Sequence, residues 1–138
     1  MKITKLVIHC SDTPDDRDVT AADIHLWHVQ RNWSGIGYHK VIRRDGVIEN
    51  GRPEFWPGAH VKGHNRNSLG VCLIGRDEFT EDQILSLDYV LSEWKFKYPL
   101  AEICRHRDLD PKKTCPNFGV GEWWESEQSG ILSSNLYR

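Results

Sequence analysis

The sequence predicts an α/β (α+β) fold: a single domain with a mixed central β-sheet and helices packed on it. Three observations carry this expectation. Short, apolar, β-prone runs recur along the chain, and between them lie two segments with helical spacing behind helix-start signals. The third is size: 138 residues, 38% hydrophobic and 28% charged, suit one globular domain. A chain of this length buries roughly 68–70% of its unfolded surface, so its core needs no disulfides. Residues 1–138 are therefore read as one domain, with 129–138 as a tail.

The elements follow in order. Ile3 to Ile8 (ITKLVI) is a strand covered on both faces, ending at His9-Cys10-Ser11. Thr20 opens a T-x-x-D signal, and Ile24, Trp27, His28 and Arg31 recur at helical spacing, which predicts a helix over 21–31. Lys40 to Arg44 and Val47 to Glu49 flank Asp45-Gly46, the dipeptide of a type I′ hairpin turn. Arg52 to Leu69 is rich in Pro, Gly, Asn and His and reads as a long irregular surface segment, where function tends to sit. Gly70 to Gly75 (GVCLIG) is a buried central strand. Thr80 to Gln83 matches a capping box, and Ile84, Leu87, Leu91, Trp94 and Tyr98 form one apolar stripe up to Pro99. Glu102 to Arg105 is a last short strand, followed by a polar loop and a short aromatic helix near Glu122 to Glu127.

Charge and patterning exclude several classes. Eighteen Lys and Arg against twenty Asp and Glu give a net charge of −2, not the basic footprint of a nucleic-acid or anionic-membrane binder. No apolar run approaches the ~20 residues of a membrane span. The opening MKITKLVIHCSD turns polar at His9, too early for a signal peptide, so the product is expected to be cytoplasmic as synthesised. The four cysteines include no C-x-x-C pair, and Cys10, Cys72 and Cys104 read as buried, reduced thiols.

The seven histidines divide by context. His28 is expected to pack within the first helix and His25 to face solvent. His60 and His64 have i, i+4 spacing, but Gly63 and the absence of an H-E-x-x-H glutamate exclude a zincin helix. His9 and His106 each follow a predicted strand, where α/β sheets display functional groups, and Cys115 lies nine residues after His106. Two imidazoles and a thiolate could form a catalytic zinc site with a fourth position for water. On spacing alone, ordinary polar loop residues are the favoured reading.

The blocks VIHCS (7–11), GYH (37–39), RDG (44–46), HVKGHNRNSLGVCLIG (60–75) and HRDLDPKKTCP (106–116), in this order, resemble the zinc-dependent N-acetylmuramoyl-L-alanine amidases. The resemblance is strongest to the small amidase endolysins of T-odd phages, relatives of the peptidoglycan recognition proteins, and it covers nearly the whole chain. It implies one Zn2+ per chain held by His9, His106 and Cys115, with Tyr38 and Lys113 completing the catalytic centre. An ammonium at Lys113 would stabilise the oxyanion beside a centre whose thiolate ligand weakens it as a Lewis acid. Tyr38 would orient water or hydrogen-bond the oxyanion, or else simply cap the hairpin.

His39, His60 and Asn65 fall in family blocks near the expected cleft, either binding substrate or holding the loop. Trp33 and Trp56 would line the groove or pack at its rim. The implied substrate is peptidoglycan, cut between N-acetylmuramic acid and L-alanine, by a monomer that reaches the wall after a holin or lysis gives access. RNA polymerase is not an expected partner, since only eight residues precede His9. Two alternatives stay open at this point: a module that binds peptidoglycan without cutting it, and a cytosolic amidase recycling soluble anhydro-muropeptides.

Overall fold

A computed structural model describes residues 2–110. Five strands form one sheet in the order β3-β2-β4-β1-β5. They are β1 (Lys5–Cys10), β2 (Lys40–Ile42), β3 (Ile48–Asn50), β4 (Ser68–Leu73) and β5 (Glu102–Arg105), with helices α1 (Ala21–Gln30), α2 (Glu81–Lys97) and the single turn α3 (His106–Leu109). The β1–β4, β1–β5 and β2–β4 pairs are parallel, and β2–β3 is antiparallel. The expected mixed sheet with packed helices is therefore present.

Alternation along the strands assigns each residue to a face. Leu6 and Ile8 of β1 and Leu69, Val71 and Leu73 of β4 pack with Leu87, Leu91 and Trp94 of α2 in the larger core. On the opposite face Val41, Cys72 and Ile74 meet Ile24 of α1, and Val7 and Cys104 meet Val61 of the long loop. The sheet thus separates an α2 side from an α1 side. His9 shares the parity of Val7 and His39 that of Val41, so both belong to the α1 side, and His106 meets His9 there at the start of α3.

Both helices begin as their sequences predict. Thr20 and Asp23 form a capping box at α1, and Thr80 and Gln83 form one at α2. The Thr80 hydroxyl also donates to the Arg44 carbonyl at 2.8 Å. Gln83, fully buried, donates to the Ile42 and Ile74 carbonyls at 3.3 and 2.8 Å and accepts from Arg44 at 3.1 Å. The start of α2 is thereby tied to the ends of β2 and β4. Thr80→Ala is expected to lower stability by about 1–2 kcal/mol, a capping loss read as a shift in urea midpoint with an unchanged m-value.

Four expectations need correction. The first strand runs from Lys5 to Cys10 rather than Ile3 to Ile8, and the central one from Ser68 to Leu73 rather than Gly70 to Gly75. Pairing sets these ends, since Lys5 lies opposite Ser68 and Cys10 opposite Leu73, so His9 lies within the strand. The Asp45-Gly46 hairpin forms, but without the type I′ turn: Gly46 has φ of 87° and Asp45 is not among the positive-φ residues. Gly46 N–H donates to the Arg43 carbonyl at 2.9 Å, and Asp45 Oδ1 accepts from Val47 N–H at 3.0 Å, giving a turn followed by a glycine bulge. His25 is exposed, as expected, and its Nδ1 also accepts from Ile36 N–H at 3.1 Å. Finally, β5 passes straight into α3 instead of a loop. The expected aromatic helix at 122–127 and the tail at 129–138 lie outside the described residues.

Candidate active site

His9 comes from β1 and is 1% exposed. Its Nδ1 lies 3.1 Å from Nδ1 of His106, the first residue of α3. That position is fixed by Asp108, which accepts from Arg105 N–H at 2.8 Å and pairs with the Arg105 guanidinium at 2.9 Å. The guanidinium in turn holds the Asp108 carboxyl below its ordinary range. The two imidazoles thus converge through matching nitrogens, and each Nδ1 presents a lone pair in the Nε2–H tautomer.

His60 completes the cluster from the long loop. Its Nδ1 is 2.8 Å from His9 Nε2, and its Nε2 is 3.1 Å from Ser68 Oγ. Asn65 Oδ1 accepts from the backbone N–H groups of His60 and Val61, both at 2.9 Å, so this side chain shapes the loop. Burial, then repulsion from His9, His39 and His106, pushes the His60 pKa down to about 2. His60 is therefore neutral throughout the physiological range.

Glycines make the space. A Cβ on Gly70 would lie 2.6 Å from His60 Nδ1, one on Gly58 2.5 Å from His60 Cδ2, and one on Gly37 2.1 Å from the Ala59 carbonyl oxygen. The sequence S-L-G-V-C-L of β4 thus places small residues on the histidine side and branched ones on the core side.

His39 is fully tied into the scaffold. Its Nδ1 accepts from Gly70 N–H at 3.0 Å, and its Nε2 donates to the Trp56 carbonyl at 2.9 Å. It clamps the long loop to β4, and burial lowers its pKa. Tyr38, half-buried, sets its ring 5.0 Å from that of His9 and 5.7 Å from that of His28. His28 in turn accepts from Gly37 N–H at 3.0 Å and lies 4.4 Å from the Trp33 ring. Desolvation lowers its pKa to about 4, in keeping with the packing role expected for it.

A groove of about 470 Å³ opens over His60 and His106, lined also by Trp33, Lys62, Asn65 and Asp110. The structure thus brings His9, His106, His60, Tyr38 and Asn65 together, and Trp33 lines the groove as one of its expected roles would have it. Lys113 and Cys115 lie outside the described residues. Ser68 is the participant that sequence reading missed; its signal was the small-residue alternation of β4.

The donor set suits zinc as far as it is described. Two ligand nitrogens at 2.0–2.1 Å in tetrahedral geometry stand roughly 3.3 Å apart, close to the observed 3.1 Å. Among the described residues no group of three or more candidate ligands surrounds a common point. His60 is not a third ligand, because both of its nitrogens are engaged with His9 and Ser68. Cys10, Cys72 and Cys104 are buried thiols outside any disulfide among the described residues, and burial pushes the Cys104 thiol up to about 11, away from thiolate chemistry.

Convergent imidazoles near the carboxyl ends of β1 and β5 in a mixed sheet, beside an open groove, make the kind of site an enzyme uses. Residues 1–118 match the family model of N-acetylmuramoyl-L-alanine amidases, and the chain belongs to that family. It is 39% identical over 133 residues to the endolysin of Klebsiella phage KP32, covering 91% of this chain and 87% of the relative. It is 38% identical over 131 residues to the endolysin of Escherichia phage T7, covering 89% and 86%. Among solved structures, the amidase LysC from Clostridium intestinale superposes with a TM-score of 0.84 at 32% identity, covering 93% and 86%. Drosophila PGRP-LB does so with a TM-score of 0.75 at 26% identity, covering 83% and 75%. Among the described residues no helix is long and apolar enough to cross a membrane.

Proposed function

We propose that this amidase works as a zinc hydrolase, with one ion held by His9, His106 and Cys115 and with Tyr38 and Lys113 acting on the substrate. Its activity is hydrolysis of the amide bond between N-acetylmuramic acid and L-alanine in peptidoglycan, in the service of phage lysis. The observation that carries the zinc reading is the 3.1 Å approach of the two Nδ1 atoms. Zinc, when bound, supplies a water of lowered pKa and polarises the scissile carbonyl.

The chain's own residues do the rest. His9 and His106 turn their Nδ1 atoms toward each other, and the burial of His9 keeps competing solvent from its side of the pair. The groove presents the Trp33 ring and the Lys62 ammonium, an apolar face and a positive charge suited to a glycan-linked peptide with carboxylates. Tyr38, whose ring lies 5.0 Å from that of His9, would orient the attacking water or hydrogen-bond the oxyanion, and Lys113 would meet the oxyanion with its ammonium. His39 and Asn65 hold the loop that forms the groove wall.

Mass spectrometry of products released from purified Gram-negative sacculi tests this directly. Free stem peptides beginning at L-alanine, abolished by a chelator and restored by zinc, are the expected result. Release that persists in chelator would remove the metal. Binding of sacculi without release would leave only a recognition module.

A further inference from the structure

The hydrogen bonds behind His9 have only one consistent direction. The His64 carbonyl can only accept, so the Ser68 hydroxyl, 2.7 Å away, gives it its single hydrogen. Ser68 Oγ must then accept from His60 Nε2–H across 3.1 Å. A neutral His60 with its hydrogen on Nε2 has a bare Nδ1, which can only accept, so His9 Nε2 donates to it across 2.8 Å. A neutral His9 with its hydrogen on Nε2 presents a lone pair at Nδ1, the atom facing His106.

We propose that Ser68 and His60 are positioning residues that fix the Nε2–H tautomer of His9 and so keep its Nδ1 ready for the metal. This rests on the reading of His9 as a zinc ligand. Ser68 is fully buried, His9 is 1% and His60 8% exposed, so water does not readily replace a missing partner. Gly70 is part of the arrangement, because any Cβ there would displace the His60 ring. The sequence places His60 and Ser68 eight residues apart around one loop, so the direction of the chain is set locally, before any metal arrives. Partners of this kind typically change metal affinity 10–100-fold when removed.

The inference predicts a tautomer reversal. Without the Ser68 oxygen, Nε2–H of His60 has lost its acceptor, and the hydrogen is better placed on Nδ1. His60 then donates to His9 Nε2, which moves the His9 hydrogen to Nδ1 and blocks the ligand atom. Long-range 1H–15N NMR of the full, metal-free chain, at a pH above the ordinary histidine range, reads both rings.

Wild type is expected to show hydrogen on Nε2 of both His9 and His60, and Ser68→Ala to show it on Nδ1 of both. Zinc titration should give a dissociation constant weakened about 10–100-fold in Ser68→Ala and restored toward wild type in Ser68→Thr, which keeps the hydroxyl. A wild-type His9 carrying hydrogen on Nδ1, or an even mixture, overturns the proposal whether or not the variant folds. So does a folded Ser68→Ala chain with unchanged tautomers and zinc affinity. If His9→Ala retains wild-type zinc affinity, the ligand reading fails instead, a result separable from the tautomer measurement on metal-free protein.

Discussion

A His106→Ala chain is expected to fold, to carry no zinc and to release no stem peptides. His106 begins a single helical turn and is only half-buried, so its truncation leaves the core intact while removing one of two converging nitrogens. Without metal the reaction relies on water whose pKa is about 15.7 rather than about 7, and a loss of at least about 10³-fold in rate follows. Cys115→Ser is expected to lose metal and activity in the same way. Lys113→Ala should behave differently, keeping zinc while turnover falls about 10²–10³-fold, the effect of removing one oxyanion partner. Metal content by atomic absorption, measured beside product release, separates these outcomes. Full activity in zinc-loaded Lys113→Ala would take Lys113 out of the mechanism.

The metal-free protein is expected to lose stability steeply as the pH falls from about 6.5 to about 4. His28 has a folded-state pKa lowered from 6.5 to about 4 by burial, so below pH 6.5 the unfolded chain binds the extra proton and the folded one resists it. The sign is therefore destabilisation as pH falls, with full stability above the ordinary histidine range. At pH 4 His28 alone removes roughly 3 kcal/mol. His60 and His39, whose pKa values are also lowered by burial, act in the same direction. Together they remove a large part of the 5–15 kcal/mol typical of a domain. Urea midpoints between pH 7.5 and pH 4 should fall steeply, and His28→Gln should flatten the curve. A midpoint independent of pH over that window would contradict the burial of these rings as neutral groups.

Much of this was legible in the sequence because each signal was local. Thr20 and Thr80 announced their helices through their own hydrogen bonds, and Asp45-Gly46 announced a hairpin although not its turn. What pairing decides was harder to read: the ends of β1 and β4 are set by partners more than sixty residues away. The site divided along the same line. His9 and His106 stood out as strand-end histidines, and the family blocks implied their role.

Yet His39, grouped there with possible substrate contacts, is occupied at both nitrogens by backbone groups. His60 faces His9 and Ser68. Such assignments depend on which atoms meet after the loop folds onto the sheet. Ser68 was hidden for another reason: it was read into the irregular segment ending at Leu69, and the alternation of Ser, Gly and Cys with Leu and Val is visible only once β4 begins at Ser68.

That alternation has a consequence for engineering. The same six residues of β4 serve two independent clients, a hydrocarbon interior under α2 and an imidazole network on the reverse. Substitutions that improve packing beneath α2, well away from the histidines, should therefore add to site variants with little coupling, as distant changes usually do. A more heat-resistant lytic enzyme could be sought from that side alone, leaving the catalytic chemistry unaltered.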